Sequence, residues 1–299
     1  MDSPKEPLQM RNRGVTDVDQ SSVINPGHPR SMVQLVVAAV VFNVTFFPVW
    51  QNLIKAWSSS EDYSHGFLVV PLVAWMIWRK RQELACWNGA GNWWGLVWLA
   101  GSLALYLIAQ MGEIATLASL SLVAAALSSV LFLYGSQILR AVAIPLCFLL
   151  FAVPVPAQIL ASVTIPLQLF VTKVTALLAS WAGIPLYHEG NIIHLPQQTF
   201  HIVHACSGLR SISAILALAA MIGYFTLRRW RWRALLFALG VPIAVAVNIL
   251  RVFAMVAASY FLSLDLTQGI LHTLLGMAVF AASMILLLFF GKGFSLWER

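Results

Sequence analysis

The sequence predicts an all-α, polytopic integral membrane bundle of about eight transmembrane helices, with one small β-hairpin on the outer face just ahead of Cys206. Three observations lead there. Of 299 residues, 60% are hydrophobic and 10% are charged, and the mean hydropathy is +0.82, so a soluble core cannot hide the apolar surface and lipid must cover it. The apolar residues fall into runs close to the about 20 residues that cross the hydrocarbon as helix. The basic residues fall in short clusters between those runs rather than on one face.

Taken in order, residues 1–31 are polar and punctuated by Pro and Gly, and read as a disordered cytoplasmic tail. The run 32–50 has no small-residue cleavage site and reads as a retained span rather than a removed signal. Further spans are expected at 64–78, 93–111, 114–134, 138–154, 207–227, 235–262 and 269–290, giving one membrane domain over 32–292 and a cytoplasmic tail at 293–299. The segment 157–182 is apolar too, but it follows Pro154 and Pro156 and contains Pro166, Gln168 and Lys173. It is expected to lie in the outer interface as a helix.

Charge sets the orientation. Arg11, Arg13 and Arg30 precede the first span, Arg79, Lys80 and Arg81 follow the second, Arg140 opens the fifth, and Arg228, Arg229, Arg231 and Arg233 join the sixth and seventh. All fall on the cytoplasmic side if the N-terminus is inside and 157–182 does not cross. Both termini are then cytoplasmic, and Glu61, Asp62, Glu113 and Asp265 lie outside. The net charge of +7 is thereby accounted for by topology and lipid headgroups, with no nucleic-acid partner implied. Residues 186–205 alternate branched, aromatic and polar side chains around Pro196-Gln197-Gln198, the pattern of an outer, periplasmic hairpin. The three cysteines, at 86, 147 and 206, have no paired spacing.

Within the second half, Cys206 and Arg210 in CSGLRS, Arg251 in NILRV and His272 in ILHTL are reactive or charged groups set among apolar residues. A charge at such depth costs about 2.5–3.5 kcal/mol on insertion scales, so it calls for a reason. At about 1.5 Å per residue, Cys206, Arg251 and His272 fall within about a turn of one plane near the outer surface. That set suits acyl transfer by a thiolate. Cys206 would be the nucleophile at a helix N-terminus, with Arg210 one turn on favouring ionisation. His272 would be the general acid/base, and Arg251 would hold the oxyanion or the substrate, oriented by Asn248 three residues earlier. Singly, each has a plainer reading: a small packing cysteine, an arginine reaching for headgroups, a hydrogen-bonding histidine. His188, His194, His201 and His204 invite a metal, but the carboxylates and spacing of a hydrolytic zinc site are missing. No metal and no cofactor is expected, and His204 is assigned to substrate contact.

These residues carry a family resemblance. CSGLRS opening a span, NILRV in the next, a histidine one turn into the last, and the earlier EDYSHGFLVVPLVAWMIWRKR with its Tyr63-Ser64-His65-Gly66 turn together resemble the bacterial exosortases over most of 60–290. The resemblance implies a cysteine protease or transpeptidase of the bacterial inner membrane, with its site facing the periplasm. Its substrates would be exported proteins bearing a C-terminal Pro-Glu-Pro motif, one transmembrane helix and a basic tail, in bacteria that make exopolysaccharide. The acceptor nucleophile stays open. It carries catalysis onto Cys206, Arg251 and His272, with Arg210, Asn248, His204 and His65 as substrate-binding or supporting residues. A transporter or flippase serving polysaccharide export is the alternative, as is a non-catalytic scaffold.

Overall fold

The computed structural model describes residues 32–60, 63–85, 91–196, 198–201, 208–264, 266 and 269–298. Its helices are α1 (Met32–Thr45), α2 (Phe47–Ser59), α3 (Gly66–Arg79), α4 (Arg81–Ala85), α5 (Trp94–Met111), α6 (Ala115–Cys147), α7 (Ala157–Trp181), α8 (Gly208–Thr226), α9 (Trp230–Leu262) and α10 (Gly269–Trp297). Strands β1 (Tyr187–Glu189), β2 (Ile192–His194) and β3 (Thr199–His201) lie between α7 and α8. Large apolar side chains face outward along the helices, with Leu68 73% and Phe289 72% exposed. The protein is a multi-pass helical membrane protein.

Among the described residues five helices are long and apolar enough to cross a membrane, or six with α1 and α2 counted as one span bent by 63°. Pro48 in the first turn of α2 cannot continue the α1 hydrogen-bond ladder, and the Thr45 carbonyl at the bend accepts from Tyr106 Oη at 3.1 Å. That is fewer than the eight expected from the sequence: α3 and α8 are shorter apolar helices, and α6 folds back on itself. Gly135 has φ 80° and ψ −178°, backbone that only glycine adopts freely. Thr116 Oγ1 donates to Pro154 O at 2.8 Å, two residues that an unbroken helix would hold about 57 Å apart. The two arms of α6 are thus antiparallel, at the boundary the apolar runs imply. Beside the helices of spanning length, α7 among them, the described residues hold two shorter apolar helices, α3 and α8.

Arg79, Lys80, Arg228, Arg229 and Arg233 gather at one end of the bundle. Arg79 lies over the Trp75 and Phe225 rings, each at 5.6 Å, while Lys80 and Arg233 lie over Tyr224 at 5.4 and 5.5 Å. Lys80 Nζ also donates to Ala141 O at 2.8 Å, a carbonyl left without a helical partner because Pro145 has no N–H. Glu298, just past α10, closes this end by accepting from the backbone N–H groups of Arg228 and Arg229, each at 2.8 Å.

The opposite end holds α7 and the sheet. By length and composition α7 is able to cross a membrane. Its start follows Pro154-Val155-Pro156, held by Thr116 and by Tyr63 Oη, which accepts from Val155 N–H at 3.2 Å. Its other end, through Ala179 and Ile184, packs with Ile193, Leu195 and Phe200 of the sheet and with Val252 and Val256 on α9. Both ends of α7 therefore lie away from the basic end. The sheet has three strands rather than the single hairpin read from the sequence: β1–β2–β3, antiparallel, with Tyr187 opposite His194 and Ile193 opposite Phe200. The additional turn falls at Gly190-Asn191, where Gly190 has φ 58°, a dipeptide suited to a tight hairpin. Asn191 Nδ2 then reaches Gln168 Oε1 on α7 at 3.4 Å.

Candidate active site at the sheet end of the bundle

Helices α8, α9 and α10 pack around Ile215, Ala219, Ile222, Leu236, Ile243, Ala244, Val247 and Leu287. This apolar block fixes their relative depth. From the basic end, α8 rises about 27 Å to its first residue and α9 rises about 31 Å to Arg251. The N-terminus of α8 and Arg251 thus reach a comparable level. Cys206 and His204 lie outside the described residues. Arg210 belongs to the first turn of α8 by its backbone.

Arg251 is only 7% exposed, and Asn248, one turn earlier on α9, is 5% exposed. The structure brings Arg251 to His272: Nη2 and Nε2 are 2.9 Å apart. His272 stands in the first turn of α10, and its Nδ1 is 3.0 Å from the carbonyl oxygen of Leu266 in the α9–α10 connection. The roles follow from elementary chemistry. A guanidinium has donors only, so Nε2 must accept, and a carbonyl only accepts, so Nδ1 must carry the proton. His272 is held as the Nδ1–H tautomer with its Nε2 lone pair turned to Arg251. The connection that presents Leu266 begins at Ser263, in the left-handed region at φ 50°.

One turn along α10 from His272 is Gly276. A Cβ built there would stand 3.7 Å from Arg251 Nη2 and 4.0 Å from its Cζ, so the guanidinium lies across bare α10 backbone. Neither this glycine nor the Leu266 carbonyl is singled out by the sequence pattern. The only signal is a glycine four residues after His272 in a helix of bulky apolar residues.

His65 is elsewhere. Its Nε2 is 2.9 Å from Phe151 O, so as a donor it ties the α3 N-terminus to the 3₁₀ turn Phe148–Ala152. Trp57 Nε1 donates to Ala152 O at 2.8 Å, and Tyr63 Oη is 3.3 Å from Val155 O. Gly66 lets the Trp57 indole pack against the α3 backbone, since a Cβ there would overlap the ring. The Tyr63-Ser64-His65-Gly66 turn thus fastens the strand of chain that leads into α7. On the sheet, His194 stacks on Tyr187 with ring centroids 5.9 Å apart and contacts Thr199 Oγ1 at 3.1 Å.

Buried Arg251 and half-buried His272, from two different helices, form a unit with one fixed tautomer, a cationic donor set and a nitrogen lone pair. That unit can hold an anionic oxygen and exchange a proton at neighbouring positions. No curated protein and no solved structure matches the chain. Residues 57–289 match the family described as Transmembrane exosortase (Exosortase_EpsH). With that match running from Trp57 at the α7 fastening through both Arg251 and His272, the chain belongs to the transmembrane exosortase family.

Proposed function

We propose that this protein is a cysteine peptidase or transpeptidase that cleaves C-terminal sorting signals of the Pro-Glu-Pro type from exported proteins. The observation that carries the reading is the partly buried Arg251–His272 contact at 2.9 Å within a chain of this family. The basic end is cytoplasmic by charge, the sheet end faces the periplasm of the bacterial inner membrane, and α7 lies along the outer interface.

In this reading the thiol proton of Cys206 passes to His272 Nε2, and the thiolate attacks the scissile carbonyl carbon. Arg251 turns from Nε2 to the oxyanion that forms, which replaces one acceptor by a better, charged one. Collapse expels the amine of the anchored fragment, and that amine takes the proton from His272. The thioester left on Cys206 is then resolved by water or by an acceptor amine. Leu266 O keeps Nδ1 protonated throughout, so that Nε2 alone exchanges protons. Arg210, Asn248 and His204 support the nucleophile, the guanidinium and the bound signal. The prolines of the signal keep it extended at the outer surface.

The test is processing of a sorting-signal protein, followed by gel shift, in Cys206→Ala, Arg251→Ala and His272→Ala. Normal processing by Cys206→Ala overturns the proposal. The apolar block around Ile243, Val247 and Leu287 beneath the pair speaks against a polar path between the two ends, as a transporter would need.

A further inference from the structure

We infer that Gly276 is a positioning residue for this site: its missing side chain forms the seat in which the Arg251 guanidinium lies beside His272. The inference rests on the peptidase reading for its catalytic consequence, though not for its geometry.

Three observations carry it. Arg251 is buried, at 7% exposed, so its guanidinium has a defined place rather than a choice of solvated positions. His272 and Gly276 are four residues apart on α10 and share one face of the helix. A Cβ at Gly276 would come to 3.7 Å from Nη2, ordinary van der Waals contact, so a side chain that extends past Cβ toward Arg251 enters the volume the guanidinium fills. The same Nη2 makes the 2.9 Å contact with His272 Nε2. Filling the seat therefore moves the donor off the acceptor.

Glycine inside a helix costs about 0.5–1 kcal/mol relative to alanine. A residue that served only to form α10 would be improved by any side chain that fits the helix. Close helix packing is the competing reason for a small residue, and the two are separable. A packing glycine acts whatever stands at 251, whereas a seat acts only through Arg251.

The experiment is the series Gly276→Ala, →Val and →Leu in the full-length protein, in the native and Arg251→Ala backgrounds, with processing rate and thermal unfolding measured for each. In the native background the loss of rate is expected to grow with side-chain size, below about tenfold for Ala and at least about a hundredfold for Leu. It should appear in kcat with KM little changed. In the Arg251→Ala background Gly276→Leu is expected to cause no further loss and to unfold no earlier than Arg251→Ala alone. Equal destabilisation by Leu in both backgrounds, or native turnover with Leu at 276, overturns the inference. If the Leu variant does not fold beside Arg251, Val takes its place in the same cycle. If processing survives Cys206→Ala, the peptidase reading fails, and the unfolding cycle still decides the seat.

Discussion

Replacing His272 separates its two roles. In the structure Nε2 accepts from Arg251 at 2.9 Å while Nδ1 meets Leu266 O at 3.0 Å. Glutamine has a carbonyl oxygen that can take the guanidinium donor and an amide N–H that can take the carbonyl, but it cannot shuttle a proton. His272→Gln is therefore expected to keep most of the fold's stability while losing about 10²–10⁴ in processing rate, the usual contribution of a general acid/base. Alanine offers neither group. It removes one acceptor from a buried cation, and a hydrogen bond to a charged group contributes about 1.5–3 kcal/mol. His272→Ala should thus unfold at a lower denaturant concentration than His272→Gln, with processing equally absent. Gel shift of a sorting-signal protein gives the first quantity and unfolding of the purified protein in detergent gives the second. Native processing by His272→Gln would refute the proton-transfer role. Equal stability of the Gln and Ala variants would refute the Arg251 contact as a stabilising one.

Other outcomes follow from contacts at both ends of the bundle. His65→Ala removes the bond to Phe151 O and should cost about 1 kcal/mol, with turnover per folded molecule close to native; a large loss of kcat in well-folded protein would return His65 to the substrate site. Lys80→Met leaves the Ala141 carbonyl, already deprived of its helical partner by Pro145, without its donor. The expected loss is about 1–3 kcal/mol, read by unfolding in detergent. Glu298 is held below the usual carboxylate range, chiefly by the backbone N–H of Arg228. A depressed folded-state value means that the clasp is present above the ordinary carboxylate range and is lost as pH falls through the lowered value. Digestion from the C-terminus should therefore speed up on strong acidification, and Glu298→Gln should show that speed at neutral pH.

Much of this was readable from residue order. The apolar runs announced a multi-pass helical bundle, and the gap between the runs 114–134 and 138–154 falls at the break between the arms of α6. Helix rise alone put Arg251 and His272 at one depth, because spans of similar length packed in one bundle leave little freedom along the membrane normal. What was not readable depends on backbone partners. The carbonyl of Leu266 fixes the imidazole, and the carbonyl of Phe151 engages His65, yet a main-chain acceptor leaves no mark in residue identity. Gly276 escaped for a related reason, since glycine is common in membrane helices and an absent side chain signals nothing until its neighbour is known. The first turn of the sheet, at Gly190-Asn191, did carry a signal, but the proline at 196 was the stronger one.

Gly135 has a consequence beyond the local shape of α6. A chain that threads a slab changes sides at each pass, so the side on which any later residue emerges depends on whether the number of earlier reversals is odd or even. The turn at φ 80° and ψ −178° is one such reversal, made by a single residue without a loop. Were 115–152 one straight rod, the parity of everything after it would invert, and the sheet, Arg251 and His272 would emerge beside the arginines instead of opposite them. The end of the bundle at which the Arg251–His272 pair stands is thus set, in part, by one pair of backbone angles that no other amino acid adopts without strain.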